Sequence, residues 1–176
     1  MSDQHGFDAY RRRIEAAAIG GLIIQPAALD HVRDWLEADD FAHPHYGDWY
    51  THLLAMRERG QPIDQVTLLA ALRRADQLGP QGQHADELAT IALAAPVPAS
   101  TLAYCRVVLE ESVRDQIAAA GIGLTQLART GDGESEQLLT QAVDIVEREL
   151  EPTRRRLQAA QRPEVAPAGQ SLVHER

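Results

Sequence analysis

The sequence predicts an all-α protein: a compact five-helix head followed by a long antiparallel helical hairpin. Three observations carry this. Hydrophobic residues make up 44% of the 176 positions but aromatics only 5%, so the core must be built from Leu, Ala, Val and Ile. Ala and Leu are good helix formers and poor strand residues. No stretch alternates apolar and polar residues with β-branched enrichment, whereas apolar residues recur at spacings of three and four. Finally, two long periodic stretches flank the turn Thr130–Gly133 (TGDG), the pattern of a helical hairpin. The length suits one domain with tails and lets about two-thirds of the unfolded surface be buried.

Each element has its own signal. A first helix is expected from about Asp8 to Ile24, and Pro26 opens a short second one that places Leu29, Val32, Trp35 and Leu36 on one face. Pro44 starts a third, with Trp49, Tyr50, Leu53 and Leu54 on one side and Gly60 as its stop. Asp64 is a good N-cap for a fourth helix carrying Val66, Leu69 and Leu72 and ending near Gly79–Pro80. A fifth, with Leu88, Ile91 and Leu93, ends before Ala95–Pro96. The head therefore covers about residues 8–96 of a domain spanning 8–150.

From Ser100 the apolar series Leu102, Leu109, Val113, Ile117, Ala120, Leu124, Leu127 runs without a proline to Ala128, a narrow seam with room for a kink at Gly121 and Gly123. After the turn, Leu138/Ala142/Ile145 and Leu139/Val143/Val146/Leu150 form two adjacent stripes, one more than a single partner helix can cover. The hairpin, about 100–150, is therefore expected to pack on something else, most simply a second copy of itself. Leu109, Val113, Ile117, Leu124, Leu138, Ala142 and Ile145 are expected to supply the seam and dimer contacts.

Charge divides unevenly. The net charge is −9, with −12 on residues 1–151 and +3 on the Pro-, Gln- and Ala-rich segment 152–176. An acidic body repels phosphate, which argues against duplex DNA binding by the folded part. Residues 151–176 read as a flexible, mildly basic tail, with Arg154–Arg156 as a solvated run. Every basic residue is arginine, a pattern read as genome composition rather than as a selected surface.

Chemistry is sparse. One cysteine, Cys105, excludes an internal disulfide framework and suits a reducing compartment, so a cytoplasmic location is expected. Its place in the apolar helix predicts a buried, inert thiol. The longest apolar run, Ala16–Ile24, is too short for a bilayer, which takes about 20 residues. His43, His45 and His52, near Asp39, Asp40 and Asp48, could be drawn as a metal site, but no HExxH or paired ExxH motif supports it. Solvent-exposed or capping histidines are the expectation, with no metal and no cofactor. The glycines at 20–21 and 79–82 lack the Lys-Ser/Thr of a phosphate loop, and no Walker-type motif occurs.

In this order the segments resemble the N-terminal domain of bacterial replicative DNA helicases of the DnaB type, from roughly Ile14 to Leu150. IEAAAIGGLIIQPAAL (Ile14–Leu29) is similar to the family's first helix, with Gly20 in its Leu-Gly-x-Leu-Leu pattern. The run Ala38–Arg74 carries Asp40–Phe41, the Pro44 helix start, Tyr50 and the turn Gly60-x-Pro62-x-Asp64-x-Val66-Thr67. Val97–Gly121 carries Tyr104 and the Glu and Arg pattern that opens the hairpin. Two departures stand out: Tyr46 occupies a position where the family commonly has histidine, and the glycines before the fifth helix are reduced to Gly82 with Asp86.

The resemblance implies a non-catalytic module linked to DNA replication and primosome assembly. In that family hairpins pair into dimers, three dimers form a collar, and the collar receives primase and loader proteins. By likeness, this chain would associate with itself and dock a primase, helicase or loader; the RecA-like ATPase domain is expected to be absent from it. Two other readings compete, a regulator that mixes into and inhibits a host helicase collar, and a small metal-dependent enzyme using His43/His45/His52.

Overall fold

The computed structural model describes residues 2–82, 84–93 and 100–161. Among them are seven α-helices and no strand: α1 (Ser2–Ile24), α2 (Leu29–Val32), α3 (Pro44–Glu58), α4 (Gln65–Arg74), α5 (Ala85–Leu93), α6 (Thr101–Thr130) and α7 (Ser135–Ala160). Single 3-10 turns occur at Pro26–Ala28, Ala38–Asp40 and Pro80–Gly82. α1 starts earlier than Asp8, and the short second helix divides into a 3-10 turn and one α turn. The expected stop at Ala95–Pro96 and residues 162–176 lie outside the described residues.

α1 is the hub, packed against α3, α5 and the first turns of α6. Its inward side is Ala18, Ile19, Leu22 and Ile23, and it meets Leu29, Val32, Leu36, Trp49, Tyr50, Leu53, Leu68, Leu72 and Leu88 in one core. Gly20 is buried, and at Gly21 a Cβ would stand 2.5 Å from Thr101 Oγ1, so α6 can cross α1 there only over a glycine. Phe41 stacks at 5.5 Å on Tyr50, whose hydroxyl donates to the Leu36 carbonyl at 3.0 Å. Tyr104 packs at the edge of this core.

Buried Glu15 ties α1 to the start of α3. Its carboxylate accepts the Ala42 and His43 amides at 2.9 and 3.2 Å and lies 2.8 Å from His43 Nδ1. Pro44 occupies the first turn of α3, and Gly47 lies so close to the Ala38 carbonyl that a Cβ would come within 2.6 Å of it.

Helix ends follow local chemistry. At the end of α3, Gly60 adopts φ +62°, and the Gly60 and Gln61 amides both donate back into the last turn at 3.0 Å. Asp64 caps α4 reciprocally: it accepts the Thr67 amide at 2.8 Å while the Thr67 hydroxyl accepts the Asp64 amide at 2.9 Å. These amide donors hold the Asp64 carboxyl below its ordinary range. α4 ends at Arg74, short of Gly79–Pro80, because the same C-terminal turn forms on Asp76 at φ +57°, with Gln77 N donating to Leu72 O at 2.9 Å. A Cβ is strained in that conformation. Asp76→Gly is therefore expected to stabilise the chain by about 0.5–1 kcal/mol in urea unfolding.

The inward positions of α4 are Leu68 and Leu72, whereas Val66 is 72% exposed. Leu72 is inward as expected and Leu69 packs partly buried against the core, so the covered face is turned by only about a quarter turn from the expected one, away from Val66 and toward Leu68. Cys105 is buried as expected, and burial pushes its thiol up to about 12. At neutral pH it stays a thiol, so alkylation by iodoacetamide should proceed only after denaturant unfolds the head.

The largest correction concerns residues 151–160. Instead of a flexible tail beginning at 151, α7 continues through Pro152 to Ala160. A proline inside a helix loses one backbone bond; here tertiary contacts offset it. Thr153 and Ala160 are buried, Leu157 and Ala159 pack on the head core, and Arg106 donates to the Ala160 carbonyl at 3.0 Å. Arg154 and Arg155 are exposed as expected of a solvated run, but Arg156 turns inward to Asp40 at 2.5 Å. Asp40, nearly inaccessible, also accepts from Ser112 at 2.6 Å and the Glu37 amide at 2.8 Å.

Candidate interaction face

Beyond the head, α6 and α7 pair antiparallel. α6 runs unbroken through Gly121 and Gly123, with no interruption where a kink had room to form. Gly123 lies against the partner helix, the position a Cβ would take being 3.5 Å from Ile145 Cγ2, an ordinary van der Waals contact. At the turn, a Cβ on Gly131 would meet Leu138 Cδ2 at 2.6 Å. Gln116 and Thr153 are hydrogen-bonded across the other end.

The residues expected at the seam and dimer face separate into three groups. Leu109 is fully buried in the head core, because the first three turns of α6 lie against α1 rather than in the free hairpin. Val113, Leu124, Leu138, Ala142 and Ile145 are half-buried. Ile117 is 54% exposed. The second stripe is the one left uncovered: Leu139, Val143 and Val146 are 69%, 54% and 39% exposed, with Leu150 half-buried beside them.

Helix geometry joins these positions. At about 100° per residue, Ile117 stands to one side of the α6 seam, and Leu139, Val143 and Val146 stand to one side of the α7 seam. Because the helices run in opposite directions, the two sides coincide, giving one apolar flank that crosses the hairpin. Ile122, also exposed, is on the face of α6 turned away from α7.

The histidines distribute differently from the drawn site. His43 goes to Glu15, and His52 bonds Gln77. His45 joins His84 and Glu87 instead, its ring stacked on that of His84 at 4.3 Å and 6°. The set His43/His45/His52 is therefore not assembled, because His52 lies two turns, about 10.5 Å, further along the same side of α3, where it bonds Gln77 just past the end of α4. His84 and Glu87 were not foreseen; no spacing motif links them to His45, and only the packing of α5 beside α3 does so. Glu87 Oε1 accepts from Tyr46 Oη at 2.6 Å and Arg12 Nη2 at 3.1 Å. Burial pushes the Glu87 carboxyl up, but Tyr46, His45 and Arg12 outweigh it and the net shift is downward; burial lowers His45. Tyr46 thus uses its hydroxyl to join α3 to α5.

An all-α head carrying a long hairpin with an uncovered apolar flank is the class these features define. More particularly, the chain belongs to the DnaB-like helicase N terminal domain family, which matches residues 8–110. It is 30% identical over 128 residues to the replicative DNA helicase DnaC of Bacillus subtilis and, over the same length and at the same identity, to the replicative DNA helicase DnaB of Geobacillus stearothermophilus. Each match covers 73% of this chain and 28% of the relative. The crystal structure of the N-terminal domain of DnaB helicase from Mycobacterium tuberculosis superposes with a TM-score of 0.68 at 25% identity, covering 77% of this chain and 94% of that one. No described helix is long and apolar enough to cross a membrane.

Proposed function

We propose that this chain is a non-catalytic assembly module of the DNA replication machinery, which dimerises through its hairpin and presents its head to a protein partner. The observation that supports it best is the row Leu139, Val143 and Val146, exposed on a helix whose other stripe already faces α6. Exposed apolar side chains at spacings of four and three are the surface another helix packs upon. The family points the same way, since relatives that match 128 residues of this chain are replicative helicases. Three such dimers closing into a ring, docked by primase, a helicase or a loader, is the assembly the resemblance implies. The −12 body disfavours duplex DNA as the direct ligand.

Light scattering on the purified chain across a range of concentrations tests this. A mass of two or six chains is expected; a monomer at high concentration overturns it.

A further inference from the structure

We propose that His45, His84 and Glu87 form a binding site for a divalent transition-metal ion, with Zn²⁺ the ion their donors suit best. Two imidazoles and one carboxylate are a zinc donor set that leaves a fourth position for water. One ligand atom from each of the three residues lies within 4.8 Å of the other two. Two edges already have the right length: Glu87 Oε2 is 3.2 Å from His45 Nε2 and 3.3 Å from His84 Nδ1. A tetrahedral ion with bonds of about 2.0–2.1 Å separates its ligands by roughly 3.3 Å.

A second observation points to a ligand independently of this spacing. His45 Nε2 is buried from solvent and has no hydrogen-bond partner, although a carboxylate oxygen lies beside it. The ring is aimed past that oxygen rather than along the line to it. A buried polar atom left so is costly, and an ion between the two groups would satisfy both.

The surroundings suit a ligand shell. Tyr46 and Arg12 engage Glu87 Oε1, which leaves Oε2 for the ion and fixes the carboxylate plane, as outer-shell partners do in metal sites. Burial favours neutral His45, the form that ligates. Since the two rings stack almost parallel, capture requires the His84 ring to tilt out of the stack, which resets its present 3.3 Å spacing to Glu87 Oε2 and leaves the His45–Glu87 edge as the one already in place. His84 lies just ahead of α5, outside regular helix, where no preceding helical turn restricts its χ1. Bound metal would clamp α3 to α5 at the corner where this chain departs from its family's glycine pattern.

The test uses the full chain and Zn²⁺ or Co²⁺ alone. Titration should show one equivalent bound, a rise in melting temperature with Zn²⁺, and the visible absorption of tetrahedral Co²⁺. His84→Ala should lower affinity by more than the roughly 10–100-fold typical of losing an outer-shell partner, and its melting temperature, whatever its value in chelator, should no longer rise with Zn²⁺. His31→Ala, a histidine on α2, should bind as the parent does. Absence of both the Co²⁺ band and the Zn²⁺-dependent shift would overturn the site, as would binding that persists in His84→Ala.

Discussion

Arg156→Ala is expected to cost about 3 kcal/mol or more, the scale found when one partner of a buried ion pair is removed. Its side chain is 12% exposed, against 1% for Asp40. Without the guanidinium, the Asp40 carboxylate would keep the Ser112 hydroxyl and the Glu37 amide but lose its countercharge. Arg156 also donates to the Trp35 carbonyl at 3.4 Å, so the end of α7 would lose its anchor on the head. For a chain of this size, about 3 kcal/mol lowers the melting temperature by roughly 6–12 °C. Chemical denaturation, with hydrogen exchange to localise the loss to residues 151–160, would check it. The double variant Asp40→Ala/Arg156→Ala should lose less than the two single losses combined, because the buried charge goes with its partner. Additive losses would show that the pair acts as two separate contacts.

Val143→Asp should abolish dimers while leaving the helix content unchanged. The residue is 54% exposed and lies on the uncovered flank, so an aspartate there is solvated in the monomer but would be buried without a partner in a dimer. Ile117→Asp, on the other helix of the same flank, should act alike. Ile145→Asp is different in kind: Ile145 sits against Gly123 inside the seam, and a charge there would open the hairpin itself. Circular dichroism separates the two outcomes and light scattering gives the mass. Val143→Asp retaining the parent mass would exclude this flank as the interface.

Much of this was readable along the chain. Pro44, Gly60 and Asp64 act through their own backbones and nearest neighbours, so local rules locate the elements they bound. The hairpin followed from periodicity on either side of one Gly/Asp turn. Individual positions were less legible where a face depended on a neighbour. Val66 and Leu68 are both apolar at the start of α4, and only contact with α3 decides that Leu68 is covered. In α6, one periodic series serves two surfaces: Leu109 goes to the head and Leu124 to the hairpin, a division that nothing in the spacing marks.

By itself, the sequence determined the all-helical class, the order of the elements, the hairpin with its surplus stripe, and the likeness to the helicase N-terminal family. These rest on local propensity and helical period, whose interactions span only a few residues. The tertiary structure alone decided which stripe stays uncovered, that α7 continues past Pro152 to Asp40, and that His45 meets His84 and Glu87 rather than His52. Each of those joins residues far apart in the chain, and their meeting depends on how α1, α3 and α5 stack, which no short-range pattern encodes.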